Sequence, residues 1–364
     1  MTNKRERLKL DVLTASTELA AASPFLPSEI HEDKIRMTLN EEWRPRSASS
    51  ISKESWQSHH SQPSQEIEPD NIYLGDCRNL LPRLPSDSIG LIVTSPPYAD
   101  NRKTPHYEGV PIDNYIDWFM PISDELLRVL KPTGSFVLNI KERVVNGERH
   151  TYVMELILAM KKQGWHWTEE YIWCKTNCYP GKWPNRFRDS WERCIHFTKT
   201  KEFKMRQDRV MIPVGDWAKK RLKNLNGTDK IRDPAKTQSG FGKNVSHWIG
   251  REKVYPTNVL HLATECANRN HSATFPVSLP TWFINLFTDE KDVVLDPFIG
   301  SGTTAIACID LKRHYIGFEI SERYYQEAID AIERRKGGLP IARRAERAND
   351  EKTKSQASDL RLFG

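Results

Sequence analysis

Two short stretches of this chain combine residue types and spacings that can do chemistry. The first is Thr94-Ser95-Pro96-Pro97-Tyr98, directly after an apolar run at 89–93. Two consecutive prolines fix φ and remove two amide donors, leaving carbonyl acceptors in a stiff frame. Ser95 adds a hydroxyl and Tyr98 a flat aromatic face. Such a turn can accept hydrogen bonds from an NH2 group while a planar ring stacks on the tyrosine. A rigid turn that merely ends a strand is the plain alternative.

The second stretch runs Val293-Val294-Leu295-Asp296-Pro297-Phe298-Ile299-Gly300-Ser301-Gly302-Thr303-Thr304, which reads as strand, glycine loop and helix start in that order. Glycines let a backbone approach a ligand closely, and a helix N-terminus offers free N–H groups. A phosphate site is the obvious rival. However, no Lys follows Gly302, as GxxxxGK[ST] would require, and Asp296 would repel phosphates. About 20 residues further on, a run at 314–318 ends on Glu319, a position suited to binding ribose hydroxyls. The combination suits an adenosine-containing ligand without phosphates.

Elements able to hold these loops are legible around them. A short strand is expected at 71–74, and the unbroken apolar run at 89–93 suits a buried parallel strand. Ile116, Phe119, Leu126, Leu127 and Leu130 recur at helical spacing over 115–130, with Pro121 expected to kink or restart that helix. Lys131-Pro132-Thr133-Gly134 should end it. A strand at 135–140, a helix at 152–162 closed by Gly164, and strands at 169–173 and 192–197 follow. Beyond a basic stretch without clear periodicity come a helix at 280–287, a strand at 292–295, a helix at 302–311, a strand at 314–318 and a helix at 321–335. Strands alternating with helices predict an α/β fold with a mostly parallel, doubly wound sheet. Ligands in such sheets bind beyond the carboxyl ends of the strands, where both unusual loops fall.

The 364 residues suffice for one large domain with insertions or two modest ones. No stretch nears the roughly 20 apolar residues of a membrane span, and the first residues lack the apolar run of a secretory signal. A cytoplasmic protein with reduced thiols is expected. Among its six cysteines, Cys174 and Cys178 have the spacing of a zinc half-site, but no second pair follows, so no metal is expected. Charge is uneven. The net value is +6, yet residues 199–253 hold 15 basic and six acidic side chains, a local +9 against −3 for the rest. A basic, aromatic-containing segment in a near-neutral chain is what contact with nucleic-acid phosphates needs. A solvated insertion is the alternative.

On these residues the chain resembles the bacterial DNA amino-methyltransferases, in the circularly permuted β-class order, over residues 71–335. The resemblance implies a Rossmann-like, S-adenosylmethionine-dependent methyltransferase fold with the catalytic loop ahead of the cofactor loop. Ser95, Pro96, Pro97 and Tyr98 match the family's catalytic motif. Residues 295–304, including Asp296, Pro297, Phe298, Gly300, Ser301, Gly302 and Thr303, are similar to the loop that cradles the methionine part of the cofactor. Glu319 matches the acidic ribose ligand, and Asp76-Cys77 after Gly75 the motif beside the adenine. Asn270, His271, Phe275, Pro276 and Leu279 resemble a motif that closes over the cofactor, with Ser272 where the family usually has Pro.

Composition marks residues 1–68 as a weakly ordered N-terminal extension and 337–364 as a charged, apolar-poor tail; between them the resemblance implies a catalytic half at 69–198, a target-recognition region at 199–255 and a cofactor-binding half at 256–336. Implied partners are double-stranded DNA and a cognate restriction endonuclease, with the enzyme a monomer or homodimer acting at the bacterial nucleoid. Family members acting on adenine N6 mostly carry Asp or Asn before Pro-Pro, and those acting on cytosine N4 mostly Ser, as at Ser95. Phe275-Pro276, rather than Lys-Pro, points the same way, so cytosine N4 is the expected target and adenine N6 the alternative. Methylation of cytosine carbon 5 would need a Pro-Cys dipeptide, which none of the six cysteines forms. A non-catalytic DNA-binding module is a more distant alternative, because both loops are chemically complete. Candidate base readers are Arg206, Arg209, Arg221, Asn224, Asn226, Arg232, Gln238 and Asn244.

Overall fold

The computed structural model describes residues 66–100, 109–178, 181–224, 250–264 and 275–338. The N-terminal extension up to residue 65, the tail beyond 338, and Asn270, His271 and Ser272 lie outside these residues. Eight strands build one sheet: β1 Asn71–Leu74, β2 Ile89–Thr94, β3 Leu130–Ile140, β4 His166–Lys175, β5 Trp191–Thr198, β6 Val259–Leu262, β7 Val293–Asp296 and β8 His314–Glu319. Their spatial order is β1-β8-β7-β2-β3-β5-β4-β6. All neighbours pair in parallel except β5, which runs antiparallel to both β3 and β4. The mostly parallel α/β sheet expected from the sequence is what forms.

Helices α1 Cys77–Leu80, α2 Tyr115–Val129, α3 Tyr152–Gln163, α5 Ser278–Phe287, α6 Thr303–Asp310 and α7 Glu322–Lys336 pack on the sheet, and a further helix, α4, spans Asp216–Lys223. All six residues of β2 are buried, as a central strand with both faces covered requires. Ile89 and Ile92 pack with Phe119 and Leu126 of α2 and Leu156 of α3 on one face. Leu91 and Val93 pack with Phe283 and Phe287 of α5 and Ala305 of α6 on the other. Strand alternation thus feeds two separate cores, and each fully buried Phe or Leu contributes roughly 1.5–3 kcal/mol.

Some boundaries differ from expectation for local reasons. Pro121 sits inside one helix, Tyr115–Val129, so of the two expected outcomes, a kink or a restart, the restart does not occur. Leu130 already pairs with Ile89, and residues 131–134 lie within β3 where its register against β2 shifts. Gly134 is required there, because a Cβ would stand 3.0 Å from the Gly90 carbonyl oxygen and 2.7 Å from Leu130 Cδ1. The edge strand β6 and the polar helix α4 carry too little periodicity to be read from sequence.

Because β5 runs backwards, its last residue, Thr198, lies beside Ser135 and His166, at the amino ends of the parallel strands. The chain from Lys199 therefore begins at the end of the sheet opposite the Ser95 loop. Lys199 pairs with Asp87, Lys204 with Asp289 and Asp292, and Arg206 and Arg209 with Asp289. This corrects the reading of Arg206 and Arg209 as base readers: both are committed to a carboxylate far from the loop. Arg221 is in α4 and Asn224 just after it, whereas Asn226, Arg232, Gln238 and Asn244 lie outside the described residues.

Candidate active site

Strands β2 and β7 are neighbours, Leu91 opposite Val294 and Ile92 opposite Leu295. From β2 the chain winds outward to β3, and from β7 it winds the other way to β8. A crevice opens where such a sheet reverses its winding, at the carboxyl ends of the two strands. Ser95 to Tyr98 leaves β2 into that crevice, and the glycine loop leaves β7 beside it.

One carboxylate ties the two loops together. Asp296 is 1% exposed. Its Oδ1 accepts from Thr94 Oγ1 at 2.6 Å and from the Phe298 amide at 3.1 Å, while its Oδ2 accepts from Thr304 Oγ1 at 2.6 Å. Burial raises its pKa to about 6 against the opposing effect of these donors. Both oxygens are used within the protein, so Asp296 joins the end of β2 to the start of α6 and acts on a ligand only through the loops it holds.

The Pro-Pro turn is fixed from several sides. The hydroxyl of fully buried Tyr115 donates to the Pro97 carbonyl at 2.9 Å. Arg143 donates to the carbonyls of Ala99 and Asp100. Pro96 is buried, and Ser95, Pro97 and Tyr98 are half-buried. The Tyr98 hydroxyl donates to Glu192 Oε2 at 2.7 Å and lies 3.4 Å from both Ser95 Oγ and Asn139 Oδ1. Glu192 is 6% exposed, and Lys175 pairs with its other oxygen. Burial, followed by the Glu192 charge, pushes the Tyr98 phenol well above its ordinary range. Tyr98 therefore stays protonated and anchored by its hydroxyl. Glu192 and Asn139 were missed from sequence: one opens an otherwise ordinary strand, the other sits in mid-strand, and nothing local distinguishes either.

At the neighbouring loop, Gly300 and Gly302 take left-handed φ values of 55° and 86°, and Gly302 caps α6. That conformation suits glycine, and the Gly302 amide donates to the Ile299 carbonyl at 3.0 Å within the loop. Glu319, 8% exposed at the end of β8, accepts from the Gly300 amide at 2.9 Å and the Ser321 amide at 2.8 Å. Burial raises its pKa against the pull of those amides. A carboxylate held this way keeps acceptor capacity for a diol, which fits a ribose. Phe298 packs its ring 5.9 Å from Trp118. Pro297 is buried, and Ser301 and Thr303 are partly accessible at the helix entrance.

The remaining expected residues divide by side chain and backbone. Asp76 caps α1 and binds Arg78; burial opposes its ionisation, but the Arg78 hydrogen bonds and charge outweigh that and lower its pKa. The Cys77 side chain is in the core, with burial pushing its thiol up, so only its backbone is available to a ligand. Gly75 donates to the Glu319 carbonyl at 2.8 Å, bringing this turn beside the end of β8. Phe275 and Pro276 are buried immediately before α5, within the core on that face.

Comparison with known proteins agrees with this geometry. The DNA methylase family model matches residues 89–330. The chain is 30% identical to the type II methyltransferase M.PvuII of Proteus hauseri, over 72% of this chain and 83% of that protein. It is also 30% identical to M.BglII of Bacillus subtilis, over 74% and 70%. The solved structure of the PvuII DNA methyltransferase (cytosine-N4-specific) superposes with a TM-score of 0.54 at 25% identity, covering 72% of this chain and 86% of that one. With the acceptor turn and the glycine loop side by side at the point where the sheet reverses, and a family match spanning both, this chain belongs to the DNA methylases that modify exocyclic amino groups.

Proposed function

We propose that this DNA methylase transfers a methyl group from S-adenosylmethionine to N4 of cytosine at a specific site in duplex DNA, as the modification partner of a restriction endonuclease. The observation that carries the reading is Ser95 at the head of an acceptor-rich, rigid turn, in the same crevice as the Glu319-braced glycine loop. The name of the PvuII relative, cytosine-N4-specific, supports the choice of base.

S-Adenosylmethionine, when bound, supplies a methyl group activated by its sulfonium charge. Glu319 would hold the ribose hydroxyls, the Gly300–Thr303 backbone the methionine part, Phe275 and Pro276 the closing wall, and Asp76-Cys77 the region of the adenine. The target amine is buried in a paired duplex, so the base must leave the stack, at a cost of a few kcal/mol. Stacking on Tyr98 offsets about 1–3 kcal/mol of that cost. The hydroxyl bond to Glu192 fixes the plane in which the ring meets the base. Ser95 Oγ and the Pro96 carbonyl then accept from the two amine N–H groups, favouring a pyramidal nitrogen whose lone pair points at the methyl carbon. Rate comes from alignment and preorganised dipoles, without a covalent enzyme adduct.

Mass spectrometry of nucleosides from DNA treated with the enzyme and the methyl donor tests this directly. N4-methylcytosine is expected. N6-methyladenine would overturn the choice of base, and unmodified DNA the activity itself.

A further inference from the structure

The sheet topology decides which basic residues share the crevice end with Ser95. The sequence draws attention to 199–253, but Lys199, Lys204, Arg206 and Arg209 are at the opposite end, bound to aspartates. The chain between the end of β4 and the start of β5 is at the crevice end, since Cys174 pairs with Trp191 and Ile140 with Arg193. It carries a small antiparallel hairpin, Lys182–Trp183 paired with Arg186–Phe187. Phe187 is 91% exposed and Trp183 54%, with the Arg186 guanidinium 4.8 Å from the Trp183 ring.

Beside the hairpin is a groove of about 510 Å³ whose walls include Lys141, Arg143, Lys175, Arg186 and Arg188. Five basic side chains line it against two carboxylates, Glu142 and Asp189, which are ion-paired with Arg193 and Arg149, so its formal charge is positive. The groove also adjoins the catalytic turn: Lys175 in its wall pairs with Glu192, the carboxylate that receives the Tyr98 hydroxyl. A protruding bare aromatic ring beside a cationic groove, one residue removed from the ring that would receive a flipped base, complements a polyanion with stacked planar groups.

We propose that the 182–187 hairpin is a DNA-opening element. The groove holds the phosphates of the strand carrying the target nucleotide, and Phe187 enters the base stack at the target step, occupying the gap left by the flipped base. Apolar wedges of this kind hold a deformed duplex open. The inference rests on the reading of the enzyme as a base-flipping DNA methyltransferase.

The test uses the full-length enzyme with cofactor and a short duplex bearing the site identified by mapping modified bases. A second duplex has the target base mismatched, so that it is already unpaired. Phe187→Ala should bind both duplexes about tenfold or more weaker, since the same base–aromatic stack is removed from the gap in each. Phe187→Leu, which keeps an apolar wedge, should bind the paired duplex close to wild type. Arg186→Gln with Arg188→Gln should make the log–log salt slope of binding shallower by about 0.9 for each phosphate no longer neutralised. Wild-type affinity of Phe187→Ala for either duplex, or a loss in Phe187→Leu as large as in Phe187→Ala, overturns the wedge while the function stands. Failure of the wild-type enzyme to methylate any duplex removes the function itself.

Discussion

Ser95 is placed to affect chemistry more than binding. Its hydroxyl is beside the Tyr98 hydroxyl at 3.4 Å, and no core packing depends on it. Ser95→Ala should lower the single-turnover methyl-transfer rate about 100-fold or more, the scale of removing one preorganised polar group, with DNA and cofactor affinity little changed. Near-normal turnover would remove Ser95 from the mechanism. Glu319 should act in the reverse sense. Its carboxylate is fixed by two backbone amides, and hydrogen bonds to a charged group are worth roughly 1.5–3 kcal/mol. Glu319→Ala should therefore weaken cofactor binding by about 10-fold to 100-fold by calorimetry, and unchanged affinity would refute the ribose assignment. On the proposed function Glu192 would be a positioning residue, because it touches Tyr98 and would reach the base only through that ring.

At the scale of elements, the crevice depends on how closely the glycine loop sits over β8. A Cβ added at Gly317 would come 2.3 Å from Ile299 Cδ1 and 3.1 Å from its Cγ2. Ile299 is held in place by its amide, which donates to the Phe318 carbonyl at 3.0 Å. Gly317→Ala must therefore displace the loop between Phe298 and Gly300 as well as strain the core, at about 1–3 kcal/mol. A lower melting temperature together with weaker cofactor binding is expected. A fall in stability with cofactor affinity intact would show that the loop adjusts independently of the strand beneath it.

For the whole molecule, two buried groups give stability opposite dependences on pH. His196 is fully buried and its pKa is pushed down to about 3 by burial. The unfolded chain takes up that proton near 6.5, so this contribution is complete above 6.5 and is lost as pH falls, by up to about 1.4 kcal/mol per unit. Asp296 titrates near 6 in the fold against 3.8 when unperturbed. Its contribution is present below 3.8 and is lost as pH rises through 6. Between these values the two slopes oppose, and stability should be nearly flat in their contributions. Asp296→Asn exposes the His196 slope: relative to the variant, the wild type should gain up to about 3 kcal/mol as pH falls from 6 to 3.8. Denaturant titrations at several pH values measure it, and a pH-independent difference between the two proteins would show that Asp296 does not carry a raised pKa.

What the sequence by itself determined was local. The buried run of β2, the helical spacing around Phe119 and Leu126, and the composition of the two loops are each written within a dozen residues, because periodicity and backbone restriction are short-range properties. They suffice for the doubly wound sheet and for marking Ser95 and Glu319 as candidate site residues. Tertiary structure alone decided which groups meet. Asp296 reaches Thr94 across 202 positions and Glu192 reaches Tyr98 across 94, separations at which no spacing rule operates. It also decided where charge is displayed. The single reversed strand, β5, carries Lys199 to Arg209 away from the crevice and leaves the 182–187 hairpin beside it, since strand direction depends on pairing that residue types do not encode locally.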